Sequence, residues 1–204
     1  REDFSIAELV EAFSLEGIQK SGAAWNRDKL LSVNQRWMRK LSDDDFLSCL
    51  DVVRPTSDVG RTTSYILQKI TLLLKERAQT FNEAQEMLAD EFGFFFVAPL
   101  PARETLLTKE PSDRPGLASS GLRAALVAIE ALPDDVSAEA VKNVLMPLAD
   151  KEEAKGKGGR GAVLWPLRYA LSGQEKSPDP FTIISILGRE ESARRLKHAI
   201  AILS

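Results

Sequence analysis

A chain of 204 residues that is 44% hydrophobic and 28% charged has the length of one domain, or two small ones, and enough apolar content for a sizeable core. A formal net charge of −3 excludes indiscriminate attraction to nucleic acid, and the longest apolar runs, such as Ile70–Leu74, are far too short to span a bilayer. A single cysteine, Cys49, excludes an internal disulfide and fits a reducing, cytoplasmic compartment; with one histidine, His198, it cannot build a His/Cys metal site, so no metal is expected.

Taken in chain order, the periodicity is helical almost throughout. Ser5-Ile6-Ala7-Glu8 has the form of a capping box ahead of Leu9, Val10 and Phe13. Asn26 suits the cap of a helix carrying Leu30, Leu31, Val33, Trp37 and Met38, and Ser42 the cap of the next, through Phe46, Leu47, Leu50 and Val53. Asp58 or Thr62 opens a longer helix to Leu74, and Thr80-Phe81-Asn82-Glu83 is a second capping box. Residues 97–116 hold Pro99, Pro101, Pro111 and Pro115 and read mostly as loop. Ser120 precedes a helix over Leu122–Leu132, and Ser137 starts another to about Ala154. Pro166 suits the first turn of a short helix, where a missing N–H costs nothing, and Pro180 does the same for 181–187. Gly188 ends that helix before a last one over 189–203. No strand series and no repeat is present, so the class is all-α. Trp25, Trp37, Trp165 and Cys49 are expected to pack inside, and His198 to lie at the surface.

The charge is unevenly spread. Five basic residues and one acidic residue, Glu175, lie between Lys155 and Lys176; four basic and one acidic, Glu76, lie between Arg61 and Arg77. An acidic chain with two basic stretches can hold a polyanion at one place and repel it elsewhere. The first stretch also brackets Trp165-Pro166-Leu167-Arg168 between the glycine-rich loop Lys155–Gly161 and the stiff loop Ser177-Pro178-Asp179-Pro180. A packed core does not need that arrangement.

Three segments resemble the bacterial glutamyl-tRNA synthetase family. Trp25-Asn26 followed by Lys29-Leu30-Leu31 and Asn34 is similar to the segment after that family's active site. Leu73, Lys75, Arg77 and Thr80 match its basic helix junction. Pro166-Leu167-Arg168 with Ala170-Leu171-Ser172-Gly173, the Ser177-Pro178 loop and Leu187-Gly188-Arg189-Glu190 match its C-terminal signature. The resemblance spans nearly the whole chain and is weakest over 98–119 and 151–161. Ser172 stands where Thr is usual, and Pro180 where an apolar residue is common. The start at Arg1, without methionine, and the absence of the family's two nucleotide-binding signatures fit a piece of a longer ligase.

The resemblance implies a class I aminoacyl-tRNA synthetase anticodon-binding helical domain of two packed subdomains. Residues 1–135 would form the stem-contact and first anticodon-binding part, and 136–204 the C-terminal part. It implies glutamate tRNA as partner, the ligase's own catalytic half as a second partner, no membrane association, a monomer, and ATP with Mg2+ only in the complete enzyme. It places Arg168, Arg77 and Ser177–Pro180 at the anticodon bases, with Lys75, Lys155, Lys157, Arg160 and Lys176 at the tRNA backbone. Arginine suits that task because its planar fork can pair bidentately and stack. Plainer readings stand beside these. Arg168 can cap a carboxylate, 155–160 can be a solvated loop, and Ser177–Pro180 a turn and helix start. Arg194, Arg195 and Lys197 read as partners of Glu190 and Glu191. Glu76, Glu83 and Glu86 have the spacing of a solvated helix face, so a catalytic pair is not expected. A helical protein–protein adaptor with no nucleic-acid role is the competing function.

Overall fold

The structure, a computed structural model, describes residues 4–18, 22, 24–50, 63–110, 116–153 and 159–204. Ten α-helices are present among them and no strand: α1 (Ile6–Ala12), α2 (Arg27–Lys40), α3 (Asp43–Ser48), α4 (Thr63–Arg77), α5 (Phe81–Ala89), α6 (Arg103–Leu106), α7 (Leu117–Glu130), α8 (Ala138–Glu153), α9 (Gly161–Ser172) and α10 (Pro180–Leu203). Arg61, Lys155, Lys157 and the proposed caps Asp58 and Thr62 lie outside the described residues.

Local capping chemistry sets most helix starts. Ser5 Oγ accepts from the Glu8 amide at 3.3 Å while Glu8 accepts from the Ser5 amide at 2.8 Å, a complete capping box. Asn26 and Ser42 accept from the amides three residues on, at 3.0 and 3.1 Å. Thr80 does the same for Glu83, but the Glu83 carboxylate reaches back one residue further than the box requires, to the Gln79 amide at 2.7 Å. Gly188 (φ 78°, ψ 174°) breaks α10 into arms over 180–187 and 189–203.

The helices bury one apolar core running from Met38 to Leu203. α2, α3 and α5 pack on α4; α7, α8, α9 and α10 pack on one another, and α10 also touches α4. α7, which buries Leu122, Ala125 and Ile129, thus packs with the helices that follow it. The C-terminal end of α4 is held by polar side chains of α2. Asn34 donates to Gln79 O at 2.6 Å, Gln35 to Glu76 O at 3.0 Å, and Arg39 to Lys75 O and Glu76 O at 3.0 and 2.8 Å. These satisfy carbonyls that a helix C-terminus leaves unpaired.

Several expectations fail. α9 begins at Gly161, so Pro166 sits inside the helix and not in its first turn; Ala162 and Val163 are buried and extend the inward face by more than a turn. The loop reading of 97–116 holds among the described residues, with one addition: the single-turn helix α6 forms within it and buries Leu106. Trp25 is 79% exposed, Trp37 is at the margin of exposure, and Cys49 is exposed. An apolar side chain demands a cover, but its sequence does not say which surface supplies it. α1 buries no residue.

One charged cluster lies inside. Arg195, 3% exposed, donates to Glu191 Oε1 at 2.7 Å and to Leu171 O at 2.6 Å, tying the end of α9 to α10. Arg194 adds two bonds to the same carboxylate, at 2.7 and 2.6 Å, while Lys197 pairs with Glu130 of α7 and not with Glu190. Burial pushes the Glu191 carboxyl up, but the hydrogen bonds from Arg194 and Arg195 outweigh it and hold it below the ordinary glutamate range. A carboxyl depressed on folding contributes stability that is complete above its unfolded value, about 4.3, and is lost as pH falls through the folded value. Wild-type stability is therefore expected to drop on acidification below about pH 4. Glu191→Gln should lower neutral-pH stability by about 3–5 kcal/mol, the scale of a broken buried pair, and flatten that acid limb; urea unfolding at several pH values measures both.

Candidate nucleic-acid interface

Among the described residues, the cations of the two basic stretches have different fates. In the earlier stretch each one faces a carboxylate. Lys69 bonds Asp135 at 2.9 Å, Lys75 bonds Asp43 at 2.6 Å, and Arg77 pairs with Glu91. Lys75 is a correction to the sequence reading. It is 6% exposed, with its ammonium on Asp43 and on Leu41 O at 2.8 Å, so it fastens α3 to α4 and presents no charge to a tRNA backbone.

In the later stretch only part of the charge is compensated among the described residues. Arg160 bonds Asp150 at 2.6 Å. Arg168, half-buried on the last turns of α9, has no carboxylate partner among the described residues. Its Nη2 donates to Glu175 O at 2.7 Å and its guanidinium carbon lies 5.0 Å from the Trp165 ring centroid. The ring and the carbonyl together fix the plane of the fork while leaving other N–H groups unengaged. Lys176 follows Glu175 directly and is exposed with no ion pair among the described residues.

The loop after α9 is held against the 90–99 segment. Gly173 takes φ 67°, and a Cβ built there would stand 2.4 Å from Pro99 Cβ. Gln174 donates to Asp90 O at 3.3 Å, and the next residue, Glu91, is the partner of Arg77, whose guanidinium also sits 5.7 Å from the Phe92 ring centroid. Arg77 and the Arg168 loop are thus joined through two consecutive residues. The carboxylate of Asp179 caps α10, accepting from the Phe181 and Thr182 amides at 3.0 Å each and from Thr182 Oγ1 at 2.7 Å. Ser177 Oγ donates to Pro178 O at 3.3 Å. Pro178 and Pro180 are buried, so the exposed edge of this loop belongs to Lys176, Asp179 and part of Ser177. Among the described residues no group of three or more His, Cys, Asp or Glu could hold a metal ion, and no helix is long and apolar enough to cross a membrane.

Sequence reading missed Trp165 as the support of Arg168, although an i, i+3 pair on a helix is the signal for it. It also missed Lys109, whose ammonium lies 5.6 Å from the same ring.

Comparison with known proteins gives the family. Residues 23–200 match the family model described as an anticodon binding domain. The chain belongs to that family. It is similar to the glutamate–tRNA ligase of an Anaeromyxobacter species, 31% identical over all of this chain and 40% of that protein. It is also similar to glutamate–tRNA ligase 1 of Methylorubrum extorquens, 33% identical over 97% of this chain and 41% of that protein. Among solved structures, a glutamate tRNA ligase from Elizabethkingia meningosepticum superposes with a TM-score of 0.70 at 30% identity, over 98% of this chain and 37% of that one. The chain thus spans about 40% of the length of the curated relatives it matches.

Gly173→Ala should cost more than 1 kcal/mol, because it combines a left-handed backbone with a contact no Cβ can make. Asp179→Ala should cost about 1 kcal/mol, with Asp179→Asn nearly neutral, as expected for a lost and a retained cap. Urea unfolding checks both; equal losses for Ala and Asn at 179 would remove the cap assignment.

Proposed function

We propose that this chain is the tRNA-recognition part of a glutamate–tRNA ligase, and that it reads the anticodon loop of glutamate tRNA around Arg168. The observation that carries the reading is the guanidinium held by Trp165 and Glu175 O, with no carboxylate on it among the described residues, next to exposed Lys176. Unpaired bases are read by stacking and by hydrogen bonds to their edges, while phosphates are met by exposed cations. Arg168 has the donors for a base edge; Lys176 and the solvent-facing side of Arg160 have the charge for the backbone. Ser177 and Asp179 supply polar atoms at the rim, and buried Pro178 and Pro180 keep that loop stiff.

The activation of glutamate with ATP and Mg2+, and its transfer to the tRNA end, belong in this reading to the rest of the ligase. The exposed apolar side chains of the N-terminal segment, Leu9, Val10, Phe13 and Trp25, support a cover supplied from there.

Arg168→Ala should weaken tRNA binding by about 1–3 kcal/mol, the scale of a bidentate base contact, with helix content unchanged. Binding by the wild type should fall with salt at about 0.7–0.9 in log K per phosphate contact. A salt-independent titration would favour a protein-binding adaptor. Arg168→Ala that unfolds would make Arg168 a structural brace.

Arg77 carries the specificity reading. Glutamate and glutamine tRNAs differ in their third anticodon letter, C against G. A cation suits the O2 and N3 acceptors of cytosine better than the N–H donors on the Watson–Crick edge of guanine. To serve there Arg77 must exchange Glu91 for the base. Arg77→Gln in the complete ligase should narrow the charging ratio between the two tRNAs, mainly by improving glutamine tRNA. An unchanged ratio removes Arg77 from the site.

A further inference from the structure

We propose that Lys109 is a phosphate contact for the same nucleotide strand, carried to the Arg168 surface by the segment over 98–110 through Trp165. This rests on the anticodon reading above. This stretch belongs to the part where resemblance to the synthetases is weakest, yet its helix α6 is docked on α9. Trp165 Nε1 donates to Thr105 O at 2.9 Å, fixing the last residues of α6 against the indole edge. Arg103 anchors the other end of α6 to Ile202 O at 2.5 Å. Three residues beyond Leu106, Lys109 projects its ammonium over the ring that also supports Arg168.

The electrostatics then favour an anion. The two distances to the ring centroid put the Lys109 and Arg168 cations within about 11 Å of each other, where their fields add. No carboxylate neutralises either one among the described residues. The nearest in sequence, Glu110, is turned away: its Oε1 accepts from the Ala118 amide at 2.9 Å at the start of α7. Lys109 itself is exposed and its ammonium has no ion pair among the described residues. With Arg168 reading a base edge, Lys109 offers a second cation at the same indole, within reach of a backbone phosphate of that strand. A point charge on a flexible stem suits a phosphate, which needs neutralisation more than a fixed geometry.

The test is a titration of the chain with a glutamate tRNA transcript over a range of salt concentrations. Wild type, Lys109→Ala and Lys109→Arg are compared. Lys109→Ala is expected to weaken binding several-fold at low salt and to reduce the slope of log K against log salt by about 0.7–0.9, one phosphate contact. Lys109→Arg should keep the wild-type slope. A wild type that binds with a salt slope, beside a Lys109→Ala slope identical to it, overturns the assignment of Lys109 and leaves the anticodon reading standing. A wild type that does not bind overturns the anticodon reading, and this inference with it.

Discussion

A guanidinium buried between α9 and α10 determines where the candidate surface lies. Arg195 is almost fully enclosed, and a charge taken out of water is tolerated only with close partners. Its partners are Glu191, one turn back on its own helix, and the carbonyl of Leu171 at the end of α9. The Glu191 bond is local and forms wherever α10 forms. The Leu171 bond is not: it exists only if α9 ends at this place against α10. Two residues later Gly173 turns left-handed onto Pro99, and one turn earlier stands Arg168. The exposed loop and its arginine therefore inherit their position from an ion pair in the core. Apolar packing of Leu167, Ala170 and Leu171 would tolerate small slides of α9 along α10. A charged group with one acceptor carbonyl tolerates far less.

Charge is then sorted by whether it has a carboxylate. Lys69, Lys75 and Arg77 each face one, and so stitch α4 to its neighbours. Lys109, Arg168 and Lys176 have none among the described residues, and they gather around one indole and the loop that follows it. A chain with a net charge of −3 can in this way present a locally positive face without general affinity for polyanions. The pairing of Arg77 with Glu91 adds selectivity of a different kind, because a base must compete with a carboxylate for the guanidinium.

What the sequence made legible was whatever depends on a few neighbouring residues. The caps at Ser5, Asn26, Ser42 and Thr80 are local hydrogen bonds, and the break at Gly188 follows from a backbone conformation that glycine favours. The all-α class follows from the same local signals. Burial was less legible. Cys49 sits between apolar residues and is exposed; Lys75 sits in a basic run and is enclosed, because Leu41 O and Asp43 reach it from the distant α2–α3 junction. The start of α9 is not legible because Pro166 has the form of an N-terminal signal, while the buried Ala162 and Val163 before it have no cap residue to announce them. Within the site, Arg168 was found through a motif. Trp165 and Lys109 meet only because α6 docks on α9, a contact across about sixty residues of chain.

The most direct test of the central claim is nucleotide-resolution footprinting of a glutamate tRNA transcript bound to this chain, with and without Arg168→Ala. The account predicts protection concentrated on the anticodon loop that weakens there first in the variant, while protection of the stem changes little. Protection spread evenly along the tRNA, unaltered by the substitution, would contradict it.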